Sequence, residues 1–90
     1  MAINTNIAAV IYVNPPHAQC KECYKAIQLC ETLGIPYIPK ELSCKKNLKD
    51  FRRLFPNEQT VPQILFRGFR ISGYYDFEQF TNELLQNGEL

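Results

Sequence analysis

Four residues of this chain have the types and the spacing to do chemistry together: Cys20-Lys21-Glu22-Cys23. Two thiols separated by two residues can close into a disulfide and reopen, or they can bind a metal as thiolates. The thiolate is the reactive form, and an ordinary cysteine is mostly protonated at neutral pH, so a reactive site must favour the anion. A helix N-terminus does this through its unpaired N–H groups and its partial positive charge. Gln19 is a poor helix cap, which points to Cys20 itself as the N-cap. Its sulfur then accepts the N–H bonds that a Ser or Asp oxygen usually takes. Cys23, three residues on, falls one turn deeper and on the apolar side. One accessible sulfur that attacks and one sheltered sulfur that resolves the mixed disulfide is the arrangement thiol–disulfide exchange requires. Lys21 and Lys25 add positive charge nearby and Glu22 opposes them, so an extreme shift is not expected.

The elements that must hold this pair can be read on either side of it. Ile7 to Val13 is a continuous, β-branched apolar run, which fits a strand buried on both faces and therefore central in its sheet. Asn14-Pro15-Pro16-His17 breaks regular structure. From Cys20 the apolar positions Cys23, Ala26, Ile27, Cys30 and Leu33 make one helical face, and Gly34 is placed to end that helix in a left-handed conformation. Ile35 to Leu42 reads as a second strand, and Pro36 and Pro39 confine it to a sheet edge. Strand, helix and strand in this order make a right-handed parallel crossover. Ser43 is expected to cap a second helix over Lys45 to Phe55, with Leu48, Phe51 and Phe55 inward. Gln63 to Arg67 and Phe69 to Ser72 read as an antiparallel pair around Gly68. Asp76 is expected to open a last helix, with Gln79 completing a capping box and Phe77, Phe80, Leu84 and Leu85 forming its buried face; Gly88 lies where it stops. The order is β-α-β-α-β-β-α.

The 90 residues read as one α/β domain, 1–90, without repeats or linkers. A formal net charge of +1 gives no electrostatic reason for a nucleic-acid or membrane partner. Met1 to Asn6 has no basic segment, and the apolar run behind it is too short for a signal peptide or a membrane span, so a cytoplasmic protein is expected. Thiols are kept reduced in that compartment, which makes a CxxC catalytic or metal-binding rather than a structural staple. The metal alternative is a tetrahedral set of His17, Cys20, Cys23 and Cys44. Against it, no second CxxC or CxxH follows. Cys30 shares the apolar face of Cys23 and Ile27 and reads as core, Cys44 as incidental and partly exposed, and His17 as a surface residue of a Pro-rich loop. Lys45, Lys46, Lys49, Arg52 and Arg53 crowd the second helix. That pattern is ordinarily a solvated face, with guidance of an acidic protein partner as the sharper reading.

Taken in order, Val10-Ile11-Tyr12, Cys20-x-x-Cys23-x-Lys25-Ala26, Gly34-Ile35-Pro36-Tyr37, Thr60-Val61-Pro62-Gln63 and Ser72-Gly73-Tyr74-Tyr75-Asp76-Phe77 resemble the glutaredoxin family over nearly the whole chain. The longer loop before the thiols is similar to that of phage glutaredoxins, which donate electrons to ribonucleotide reductase. The resemblance implies a thioredoxin-like fold, a four-stranded mixed sheet in the order 2-1-3-4 flanked by three helices, and a cis bond before Pro62. It implies Cys20 and Cys23 as the catalytic pair, and Lys21, Thr60, Val61, Pro62, Tyr74, Tyr75 and Asp76 as the substrate- and glutathione-binding residues. The cysteinyl backbone of glutathione would pair with Val61 and its γ-glutamyl end would sit against Tyr75 and Asp76. The implied activity is glutathione-dependent reduction of protein disulfides, ribonucleotide reductase among the substrates, by a monomer in the cytoplasm, or in the host cytoplasm if phage-encoded. No resident cofactor or metal is implied; glutathione is the reductant. Asp76 as a plain helix cap and Tyr74 as apolar cover are the alternatives from the residues themselves. The chain departs from the family at Ser72, where a glycine is common, and at Glu22, where a tyrosine is common. A carboxylate at Glu22 opposes the glycyl carboxylate of glutathione. A thioredoxin-reductase-served redoxin and a non-enzymatic metal-binding module on the same fold are therefore the competing functions.

Overall fold

The computed structural model describes residues 8–14 and 20–90, and within them β1 (Ala9–Val13), α1 (Lys21–Leu33), β2 (Tyr37–Glu41), α2 (Lys45–Leu54), β3 (Gln63–Phe66), β4 (Phe69–Ser72) and α3 (Tyr74–Gln86). The sheet runs β2-β1-β3-β4, with β1 parallel to β2 and antiparallel to β3, and β3 antiparallel to β4. This is the expected thioredoxin-like fold. The apolar β1 is central, and β2, where Pro39 lies opposite Ile11, is at the edge. Ile7, expected to begin β1, lies outside the described residues. β2 is shorter than expected, although its ladder runs on at both ends: the Ala9 N–H donates to the Pro36 carbonyl at 2.8 Å and the Leu42 N–H to Val13 at 2.9 Å.

Strand alternation divides the core in two. Ala9, Ile11 and Val13 of β1 turn to one face, with Ile64, Phe66 and Ile71, and meet Cys23, Ala26 and Cys30 of α1 and Phe77 and Leu84 of α3. Phe66 meets Phe77 edge to face, ring centroids 5.9 Å apart. Tyr12 turns to the other face and packs with Phe51 and Phe55 beneath α2. So α1 and α3 share one side of the sheet and α2 holds the opposite side.

Several boundaries differ from expectation. The cap of α2 is Cys44, not Ser43, and it makes no side-chain cap bond; Asn47 Nδ2 instead donates to the Glu41 carbonyl at 3.0 Å. The helix ends at Leu54, with Phe55 as its C-cap. Arg67 is not in β3 but in the two-residue turn with Gly68, at φ 52° and 82° respectively. Positive φ at both positions suits the right-handed twist of the flanking strands. Leu85 is 45% exposed, because it lies one helical step of about 100° beyond Leu84 and past the stripe completed by Thr81. α3 begins at Tyr74 rather than Asp76, with Gly73 as its cap.

Gly73 explains that early start. Its φ of 91° and ψ of 165° lie in a region open essentially to glycine alone. Its N–H donates to the Pro62 carbonyl at 3.1 Å, so it is not free to close a capping box with a side chain three residues on. Gly34 caps α1 as expected, at φ 72°. No atom lies within 4 Å of where a Cβ would sit at either glycine, so substitution costs backbone strain and not a clash. Gly73→Ala should therefore lose about 2 kcal/mol of stability, against about 1 kcal/mol for Gly34→Ala. Urea unfolding measures both, and equal losses would refute the assignment of the greater strain to Gly73.

Candidate active site

α1 presents its two cysteines unequally because of how it enters the sheet. Cys20 is the N-cap in extended conformation, φ −108° and ψ 101°, and the Cys23 N–H donates to its sulfur at 3.3 Å. Cys23 sits inside the first turn and is 0% exposed, on the buried helix face that it shares with Ala26 and Cys30. Cys20 is half-buried. The two are joined in a disulfide, with their Cα atoms 5.2 Å apart. The cap geometry and the sheltered second sulfur both follow the sequence reading.

The loop before β3 reaches the thiols. The Cys20 sulfur lies 4.0 Å from the Val61 carbonyl, and the Val61–Pro62 bond is cis, as the resemblance implied. Thr60, Val61, Pro62, Tyr74, Tyr75 and Asp76 line one open groove of about 230 Å³. Glu22, Ser72 and Gly73 complete its wall. Six of the seven residues expected to bind substrate are thus brought together. Lys21 is not among them; it is exposed on the first turn of α1. Asp76 lies in the first turn of α3 rather than at its cap. Tyr74 is half-buried and its hydroxyl donates to Glu78 at 3.2 Å. Burial, and then the Glu78 carboxylate, push its phenol above the ordinary range. Tyr75 is 61% exposed and meets Tyr74 edge to face at 5.1 Å.

Beneath this groove lies a polar network that the sequence reading missed. Gln63 is fully buried, and its Nε2 donates to the Thr60 carbonyl at 3.0 Å and to Ser72 Oγ at 3.2 Å. Ser72 Oγ in turn donates to Glu58 Oε1 at 3.2 Å. The loop is thereby fastened from below to both β3 and β4. The available signals were a glutamine opening an otherwise apolar strand, and a serine where the family commonly has glycine.

The remaining cysteines have separate surroundings. Cys30 is buried in the core, and burial, followed by the Glu31 charge, pushes its thiol from 9.0 up to about 12. Cys44 is exposed. His17 lies outside the described residues, and among the described residues no cluster of three or more His, Cys, Asp or Glu side chains is arranged to hold a metal ion. The basic α2, on the opposite side of the sheet from α1, contributes no residue to the groove.

No protein-family model and no curated protein sequence matches this chain. Among solved structures, it is similar to glutaredoxin 1 from Francisella tularensis complexed with cacodylate, at 20% identity and a TM-score of 0.67, covering 88% of this chain and 96% of that one. It is also similar to a monomeric truncated mutant of Trypanosoma brucei 1-C-Grx1, at 16% identity and a TM-score of 0.59, covering 90% and 72%. The shared property at these identities is the fold.

The contrast between the two spare thiols has a measurable outcome. With the disulfide closed, alkylation at pH 8 followed by intact-mass analysis should give one adduct, on Cys44, and a second, on Cys30, only in denaturant. The unfolded chain ionises Cys30 near its ordinary value while the folded chain keeps it neutral to about 12, so stability falls as pH rises above about 9. Between pH 9 and 10 the parent should lose about 1 kcal/mol more than a Cys30→Ala variant, the tyrosines being common to both. Equal slopes would refute the buried-thiol account.

Proposed function

We propose that this chain is a dithiol glutaredoxin-type oxidoreductase that reduces protein disulfides. The observation that carries the reading is Cys20: a helix cap whose sulfur takes the Cys23 N–H and lies beside the Val61 loop. That hydrogen bond and the helix N-terminus both favour a thiolate over a thiol. In the reduced protein the Cys20 thiolate attacks one sulfur of a substrate disulfide. A Cys20–substrate bond forms, and the other substrate sulfur leaves as thiolate. The Cys23 thiolate then attacks the Cys20 sulfur, closing the intramolecular disulfide and releasing the second substrate thiolate. Two electrons pass to the substrate, and the two protons of the cysteines end on its thiols.

Two equivalents of glutathione restore the dithiol and leave as glutathione disulfide. In this reading glutathione lies along the groove, its cysteinyl backbone against Val61 and its γ-glutamyl end against Tyr75 and Asp76. Thr60, Pro62 and Tyr74 shape the walls, and Lys21 stands outside them. An extended ligand beside Val61 would pair with its backbone as an added strand does. The partners are disulfide-bearing proteins, with ribonucleotide reductase proposed on the resemblance to phage glutaredoxins. The setting is the cytoplasm, and the working unit a monomer formed by one domain over residues 1–90. Among the described residues no helix is long and apolar enough to cross a membrane.

One observation favours a second reading, recharging by a flavoprotein reductase. Glu22 lines the groove, where it repels an anionic tripeptide. Rates of recharging with glutathione and with thioredoxin reductase separate the two.

The central test is mutational. Cys20→Ser should abolish disulfide reduction, whereas Cys23→Ser should trap a mixed disulfide visible by mass. Activity retained in Cys20→Ser would sink the proposal. In the reduced protein, Cys20 should alkylate with a midpoint below the ordinary thiol value of about 8.5; a midpoint at or above it would remove the activation argument.

A further inference from the structure

Of the residues lining the groove beside Cys20, two carry charge, and both are acidic: Glu22 on the first turn of α1 and Asp76 on the first turn of α3. No lysine or arginine lines it, and none of the chain's Lys and Arg residues falls at an undescribed position. The ammonium of Lys25 lies over the rings of Tyr74 and Tyr75, 5.7 and 5.6 Å from their centroids, and lines a separate cleft. Counting it as a partial offset still leaves the surroundings of the groove net negative. Glu78, which accepts from the hydroxyl of Tyr74, adds to this, and α3 has no basic residue.

We propose that this groove selects disulfides whose cysteine is flanked by Lys or Arg in a protein or peptide, with Glu22 and Asp76 as the specificity-determining residues. The inference rests on the dithiol reading given above and names the substrate class of that same site. A chain extended beside Val61 runs along the loop, so the residues before and after its cysteine pass along the groove. Glu22 and Asp76 come from the first turns of two different helices and line the groove together with Val61 and Pro62. A cationic side chain on either flank of the cysteine therefore has a carboxylate to meet. An acidic flank meets like charge without a lining cation to relieve it. Glutathione, with two carboxylates and one ammonium, can give its ammonium to Asp76, but a carboxylate remains to be placed near Glu22. The rings of Tyr74 and Tyr75, which already hold one ammonium, add faces that favour a second cation over an anion.

The test uses three disulfide peptides of one sequence, with Lys, Gln or Glu on both sides of the cysteine, and the reduced full-length protein. The reading is the ratio of second-order rate constants for the Lys and Glu peptides at low salt. Exposed charge pairs are individually weak, and the Lys and Glu peptides differ at both contacts, so this ratio should be about tenfold. It should contract in Glu22→Gln and in Asp76→Asn, and fall towards one in Glu22→Lys, whose lining is then neutral, and at high salt. Taking a ratio cancels any change these substitutions make in the reactivity of Cys20 itself. Equal rates for the three peptides, with the Gln peptide readily reduced, overturn this inference and leave the dithiol reading standing. Failure to reduce any of the three, the Gln peptide included, overturns the dithiol reading and this inference with it.

Discussion

The bond from the Cys23 N–H to the Cys20 sulfur does two things at once. It satisfies a donor at the open end of α1, as any helix cap must, and it places a sulfur where the helix's unpaired N–H groups favour negative charge. Neither effect survives unless α1 is seated on the sheet. The seating comes from Cys23, Ala26 and Cys30, which pack against Ala9, Ile11 and Val13. The second thiol is therefore also part of the core, and its shelter is a packing property as much as a chemical one. Each fully buried side chain of this kind contributes on the order of 1.5–3 kcal/mol when large, and Phe66 and Phe77 extend the same layer from β3 to α3. The result is a rigid platform in which one sulfur is fixed and the other is presented.

Opposite the helix end, the loop from Thr60 to Pro62 is held with similar economy. Gln63 is buried in a strand, where an unbonded amide would be costly. Its donor is satisfied by the Thr60 carbonyl and the Ser72 hydroxyl, while its Oε1 has no partner among the described residues. Ser72 passes the connection on to Glu58. Loop, strand pair and groove wall thus share one hydrogen-bonded base. Gly73 then turns the chain from β4 into α3 with its N–H committed to Pro62, so the first turn of α3 starts two residues before Asp76 and carries Tyr74 and Tyr75 into the groove.

What could be read without coordinates follows from how local each signal is. The unequal cysteines were legible because capping and helical periodicity are properties of about one turn of chain. The central place of β1 and the edge place of β2 were legible because β1 is apolar on both faces and β2 carries prolines that an interior position would not accept; the full strand order came with the family resemblance. The start of α3 was not, since a glycine cap has no side chain to announce itself and Asp76 offers a competing, more familiar signal. The same applies to Cys44 in place of Ser43. The Glu58–Ser72–Gln63 network joins three separate segments, and no local pattern reports that. Lys21 shows the reverse case: a family motif carries its position next to the thiols, while the helix turns the side chain out to solvent, away from the groove wall.

The placement of the helices has an electrical consequence. α2 bears Lys45, Lys46, Lys49, Arg52 and Arg53 against a single Asp50, whereas α3 bears Asp76, Glu78 and Glu83 with no basic residue. They lie on opposite sides of the sheet in a molecule whose smallest extent is 22 Å. A chain whose formal net charge is only +1 therefore separates its charge across the sheet. At physiological ionic strength the Debye length is about 8 Å, so an approaching surface does not sense the two faces as cancelling: it meets the nearer one alone. The torque that turns the molecule acts only over the last stretch of the encounter, and its direction depends on which face arrives first.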